Sequence, residues 1–91
     1  MKKFNELTND LTLVDFYATW CGPCKMIAPV LEQLTSVDVI KVDVDEEREL
    51  TMKFNISAVP TLILMKEKQE VARIQGYHDL EQLESWINEH K

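Results

Sequence analysis

Apolar residues along this chain alternate between two spacings. Leu11 to Tyr17 is a nearly continuous apolar run with β-branched and aromatic members, which predicts a strand buried on both faces. Met26, Ile27, Val30, Leu31 and Leu34 then recur at helical spacing, a wide stripe that predicts a helix turned toward the core. Pro29 falls inside that helix and removes a backbone hydrogen bond, so a kink is expected there. Val37 to Val44 returns as a second apolar strand. A strand, helix and strand of this length imply a parallel pair with a right-handed crossover.

Asp45, Glu46 and Glu47 predict the start of a short helix, because negative charge complements its dipole, with Leu50 and Phe54 facing inward. Thr61 to Met65 and Val71 to Gln75 read as two more strands. Only Lys66 to Glu70 separates them, so they pair as an antiparallel hairpin. Gly76 ends the last strand. Asp79 with Gln82 predicts a capping box, opening a terminal helix whose apolar face is Leu80, Leu83 and Ile87. Phe4 to Leu7 reads as a helical or irregular lead-in. The sum is an α/β fold: a mixed four-stranded sheet, βαβ plus ββα, flanked by helices.

With 91 residues there is room for one core, so a single domain over 1–91 is expected. The hydrophobic share of 45% and charged share of 29% are too balanced for disorder. A net charge of −6, from 16 acidic and 10 basic residues, argues against nucleic acid and anionic membranes, which need a basic face. No run approaches the ~18 apolar residues of a membrane span. Met1, Lys2 and Lys3 are not followed by the apolar stretch of a signal peptide. The two cysteines, Cys21 and Cys24, would close a loop too small to constrain the unfolded chain much. A soluble protein of a reducing compartment, the cytoplasm, is expected. Nothing demands a dimer, so a monomer is the expectation.

The chemistry centres on Trp20-Cys21-Gly22-Pro23-Cys24-Lys25. Proline suits the first turn of a helix, where its missing N–H has no partner to lose. A cysteine at the junction of a buried strand and a helix meets unpaired N–H groups and the positive end of the dipole, which stabilise a thiolate. The second sulfur lies one turn further in and is expected to be more shielded. Three other readings compete. A structural zinc site needs four ligands, and His78 and His90 do not have the usual spacing of a ligand pair. A protease-like nucleophile needs a base, and neither histidine has an evident route to Cys21. Inert core cysteines would sit oddly around glycine and proline.

At these residues the chain resembles the thioredoxin family. Val14-Asp15-Phe16-Tyr17-Ala18-Thr19-Trp20-Cys21-Gly22-Pro23-Cys24-Lys25-Met26-Ile27-Ala28-Pro29 is similar to that family's active-site strand and helix. Ala58-Val59-Pro60-Thr61 resembles its cis-proline loop, and Gly76 stands where the family keeps a glycine after the hairpin. The resemblance covers nearly all of the chain after residue 11. It departs in two places. Only fourteen residues precede Asp15, too few for the family's usual first strand and helix, so the edge strand is expected to be missing or rudimentary. The turn Lys66-Glu67-Lys68-Gln69 also lacks the glycine often found there.

The resemblance implies a protein-disulfide reductase working by dithiol–disulfide exchange, with Cys21 attacking and Cys24 resolving the mixed disulfide. The resemblance implies an attacking thiol with a pKa of ~7, the value typical of this family's Cys-x-x-Cys site, against ~8.5 for a free thiol, which lifts thiolate at pH 7 from roughly 3% to about 50%. Lower basicity costs about fivefold in nucleophilicity, leaving a net gain on the order of threefold. Docking and the proximity of Cys24 must supply the rest.

Asp15 is implied to help deprotonate Cys24, with a raised pKa from burial, and Lys41 to moderate its charge. Asp15 reaching solvent at a strand edge and Lys41 snorkelling outward are the plain alternatives. Trp20, Gly22, Pro23, Val59, Pro60 and Gly76 are implied to form the docking surface. A cis Val59–Pro60 bond would bring backbone beside Cys21, where an extended partner segment adds as a strand. Tyr77 could extend that rim. Trp86 reads as packing, His78 and His90 as surface residues, and the acidic stretch Asp43 to Glu49 as a solvated helix start that could repel or select partners. No bound metal or organic cofactor is implied; electrons would come from NADPH through a thioredoxin reductase, and disulfide-containing proteins are the other partners. Two rivals stay open. One is an oxidant or isomerase of the same fold, against which uncharged Pro23 speaks; the other is a binding subunit that uses its thiols little.

Overall fold

The computed structural model describes residues 3–91. Its centre is β1 (Thr12–Tyr17), which has a strand on each side and five of six residues buried. β2 (Asp38–Asp43) runs parallel to it, with Thr12 opposite Asp38 and Asp15 opposite Lys41. β3 (Thr61–Lys66) runs antiparallel on the other side, pairing Asp15 with Leu62, and β4 (Gln69–Gln75) continues the sheet antiparallel to β3. The order β2-β1-β3-β4 leaves β2 and β4 as edges, so the described sheet has four strands, as expected.

α1 (Gly22–Glu32) crosses from β1 to β2 and α3 (Leu80–Glu89) follows β4. Leu13, Ile27, Leu31, Leu64, Leu83 and Ile87 meet in the core on the side of these two helices. The other side carries Val14, Phe16, Ile40, Val42, Ile63 and Met65 beneath a 3-10 turn (Phe4–Glu6) and α2 (Arg48–Lys53). Burying one such side chain is worth ~1.5–3 kcal/mol, so these two layers supply most of the drive to fold. The Asp79–Gln82 capping box forms in both directions: Gln82 N–H donates to Asp79 Oδ1 at 2.8 Å and Asp79 N–H to Gln82 Oε1 at 3.0 Å.

Several expectations are corrected. Met26 is 61% exposed, so the inward stripe of α1 is narrower than its apolar spacing suggests. α2 starts at Arg48 rather than Asp45, because the N–H groups of Glu46 and Glu47 turn back onto the Asp43 carbonyl. β4 starts at Gln69, and the turn is the pair Glu67 and Lys68, both in the left-handed region at φ 53° and 64°. Two successive positive-φ residues are what a tight hairpin needs to match the strand twist. His78 and His90 are half-buried, each with its Nδ1 beside a backbone carbonyl.

Candidate active site

β1 delivers its C-terminal end to the site. The chain turns at once, with Cys21 N–H donating to the Ala18 carbonyl at 3.3 Å. Cys21 then sits in the N-cap position of α1 with extended backbone, φ −90° and ψ 118°, and Gly22 and Pro23 fill the first helical positions. Cys24 N–H donates to Cys21 Sγ at 3.2 Å, so the sulfur takes the capping role usually filled by an oxygen. Cys21 and Cys24 are joined as a disulfide with their Cα atoms 5.2 Å apart.

The loop before β3 closes over the pair. Cys21 Sγ lies 3.6 Å from the Val59 carbonyl oxygen, and the Val59–Pro60 bond is cis. Pro60 in turn accepts the Gly76 N–H at 2.9 Å, and Thr61 Oγ1 donates to the Ala58 carbonyl at 2.6 Å. Gly76 has φ 85° and open space where a Cβ would stand, so its requirement is conformational rather than steric. The two sulfur residues pack with Ala18 and against Tyr17, Val44 and Val59.

The expected contrast in exposure is absent: Cys21 and Cys24 are each 5% accessible. The disulfide ties them together in one small cluster with Ala18, against which Val59 packs. Their contrast is electrostatic instead, since it is the Cys21 sulfur that takes a helix N–H.

Trp20, by contrast, is 69% exposed, and its Nε1–H donates to Asp45 Oδ2 at 2.9 Å. The indole forms one wall of a groove of about 400 Å³ lined also by Val44, Thr51, Ile56, Ser57, Ala58 and Val59. Sequence reasoning missed Asp45 as the residue that fixes the indole. Its only sequence signal, a place in an acidic run, points to a helix start. Tyr77 is 43% exposed.

A second group lies on the sheet itself. Asp15 is 1% exposed, and its Oδ1 has no hydrogen-bond partner. Burial pushes its pKa up from 3.8 to about 6, offset in part by the positive charge of Lys41. The strand-edge alternative for Asp15 is thereby excluded. Lys41, half-buried, places Nζ over the Tyr17 ring at 4.8 Å from the centroid. The Tyr17 phenol is itself held above its ordinary range, first by burial and then by the charges of Asp43, Glu46 and Asp15.

The structure thus brings Cys21, Cys24 and Val59 together, ties Pro60 to Gly76, sets Trp20 at the rim, and pairs Asp15 with Lys41 on the sheet. Among the described residues, no group of three or more His, Cys, Asp and Glu is arranged to hold a metal ion. No described helix is long and apolar enough to cross a membrane.

Comparison with known proteins agrees with this geometry. The Thioredoxin family matches residues 1–89. Thioredoxin from Staphylococcus aureus (strain Mu50 / ATCC 700699) is 42% identical over 91 residues, covering 94% of this chain and 88% of that protein. Among solved structures, Fasciola hepatica thioredoxin is 41% identical with a TM-score of 0.84, covering 96% of this chain and 86% of its own. A thioredoxin from Nicotiana alata is 42% identical with a TM-score of 0.82, covering 94% of this chain and 77% of its own. A strand-to-helix cysteine pair at bonding distance fits dithiol–disulfide exchange, and the chain belongs to the thioredoxin family of protein-disulfide oxidoreductases.

Proposed function

We propose that this protein is a general reductase of protein disulfides, acting as one monomeric domain over residues 1–91, with Cys21 as nucleophile and Cys24 as resolving thiol. In the reduced protein, the Cys21 thiolate attacks one sulfur of the partner's disulfide. That S–S bond breaks, a Cys21–partner disulfide forms, and the other partner sulfur leaves as a thiolate. Cys24 then gives up its proton and attacks Cys21 Sγ, restoring the intramolecular disulfide and releasing the second partner sulfur. Two electrons pass from the chain to the partner.

Asp15 takes the Cys24 proton, through water, in this scheme. A carboxyl with a pKa of about 6 is largely ionised at pH 7 yet basic enough to accept a proton, and Lys41 moderates its charge. Trp20, Gly22, Pro23, Val59, Pro60 and Gly76 form the docking surface, where an extended partner segment lies beside the Val59 backbone. Electrons return from NADPH through a thioredoxin reductase, and the cytoplasm is where that cycle operates.

The observation that carries this reading is the Cys21 sulfur at the N-cap of α1, accepting the Cys24 N–H at 3.2 Å. Those same donors stabilise a thiolate when the bond opens. The test is NADPH oxidation coupled through thioredoxin reductase to a disulfide-bonded protein substrate. Wild type sustains turnover and Cys21→Ser falls to background; equal turnover by the two defeats the reading.

A further inference from the structure

Asp15, Lys41 and Tyr17 share one face of the sheet. Asp15 and Lys41 are register neighbours on β1 and β2, so their side chains leave the sheet on the same side. Tyr17, two residues beyond Asp15, points that way as well. Lys41 belongs to an edge strand and has a flexible four-carbon stem, so nothing covalent or steric obliges its ammonium to lean toward the sheet centre. Two competitors draw it away. Water is one, and Glu32 of α1, which lines the same small cleft as Lys41, is the other. What lies on the inner side is the Tyr17 ring, 4.8 Å from Nζ to centroid. A cation over an aromatic face is attracted by the ring's negative face, the more so when desolvated, and this favours the inner placement over those alternatives.

We propose that Tyr17 is a positioning residue: its ring holds the Lys41 ammonium on the inner side of β2, so that the buried Asp15 carboxylate keeps a cation beside it. The proposal rests on the reading of Asp15 as proton acceptor only for its effect on rate; the placement of Lys41 stands on geometry alone.

The electrostatics agree with the geometry. Lys41 is the charge that stabilises ionised Asp15, and the charge of Asp15 is felt in turn at the Tyr17 phenol. The charges felt at Asp15 and Tyr17 are those of Lys41, Asp43 on β2 and Glu46 in the turn beyond it; α1, packed on this side, also carries Cys24, Lys25 and Glu32, α3 carries Glu81, Glu84 and Glu89, and β3 sets Leu62 opposite Asp15. Among these, Lys41 is the cation whose charge acts on Asp15. If the ring is removed, Lys41 turns to water or Glu32, and ionised Asp15 loses its stabilising partner.

The test is a carboxyl-carbon NMR titration of Asp15 in the full-length oxidised protein, beside the pH profile of kcat/KM. Tyr17→Leu is expected to raise the Asp15 midpoint by about 0.5–1 unit, the low end of what a lost neighbouring charge does. Tyr17→Trp, which keeps a ring for the ammonium, leaves the midpoint at its wild-type value. Lys41→Met raises it at least as much as Tyr17→Leu, and adding Tyr17→Leu to Lys41→Met moves it no further. An unmoved midpoint in folded Tyr17→Leu overturns the proposal, as does an equal further rise in the Lys41→Met background. If Tyr17→Leu does not fold, Tyr17→Trp with a raised midpoint overturns it and with an unchanged midpoint supports it. A carboxyl midpoint that moves while the rate profile does not supports the positioning of Lys41 and overturns the proton-acceptor role of Asp15.

Discussion

Alternate residues of β1 meet opposite sides of the sheet, and the two sides differ in kind. Val14 and Phe16 enter a wholly apolar cluster, in which Phe54 meets Phe4 and Phe16 at ring separations of 5.7 and 5.6 Å. Leu13 enters the cluster beneath α1 and α3, but the next residue on that side is Asp15, buried with one oxygen unpaired. Tyr17 and Lys41 follow, and the sulfurs stand at the strand's end. Side-chain alternation, rather than distance along the chain, therefore separates a side that is wholly apolar from one that combines an apolar core with a buried carboxylate and its cation. Residues 15 and 16 are neighbours in sequence with opposite energetic signs at neutral pH.

The largest expected effect comes from the apolar side. Phe16→Ala should cost ~3–5 kcal/mol in urea unfolding, because Phe16 is fully buried and its neighbours belong to two strands, a turn and a helix. The cost should be the same at every pH at which the protein folds. If it varied strongly between pH 4 and 7, the two sides would be coupled and the comparison would break.

The polar side gives a smaller effect of opposite sign. The Asp15 pKa is raised on folding from 3.8 to about 6, so the folded state holds a proton that the unfolded state has lost across that window. Stability from this group is therefore highest below about pH 4, falls as pH rises to about 6, and stays low above it. The span is on the order of 3 kcal/mol, from the shift at ~1.36 kcal/mol per unit. Asp15→Ala should accordingly stabilise the protein at pH 7 by about 1–3 kcal/mol, less the small cavity it leaves, and flatten the pH dependence between 4 and 6. Unfolding curves at four pH values measure both. Loss of stability at pH 7 would mean that Asp15 is a structural residue like its neighbour.

Much of this division was legible in the sequence. A carboxylate inside Leu11 to Tyr17 has few readings besides costly burial, and the cysteine pair after that strand fixed where chemistry could occur. The capping box at Asp79 was legible because two residue types at one spacing satisfy each other's backbone. Features that depend on register or on tertiary contact were not. The association of Lys41 with Asp15 came through the family resemblance rather than the hydrophobic pattern, and nothing in either sets Lys41 over Tyr17, since that follows from how β2 aligns with β1. Asp45 looks like a helix start until the fold brings Trp20 to it across 25 positions. Glu67 and Lys68 form a tight turn without the usual glycine or asparagine, because the pairing of β3 with β4 on either side overrides local preference. Met26 keeps helical spacing with the core residues yet faces water, since the buried arc of α1 is narrower than the apolar one. Equal burial of the two cysteines depends on the tertiary packing of Ala18, Tyr17, Val44 and Val59 around them, which composition does not encode.

The central claim concerns which sulfur meets the partner, and trapping tests it most directly. Reduced Cys24→Ser protein is mixed with a disulfide-bonded protein, and the adduct is mapped by mass spectrometry without reductant. A stable mixed disulfide through Cys21, absent or fleeting with wild type, is the predicted result. A Cys24→Ser protein that forms no adduct, beside a Cys21→Ser protein that forms one through Cys24, would contradict it.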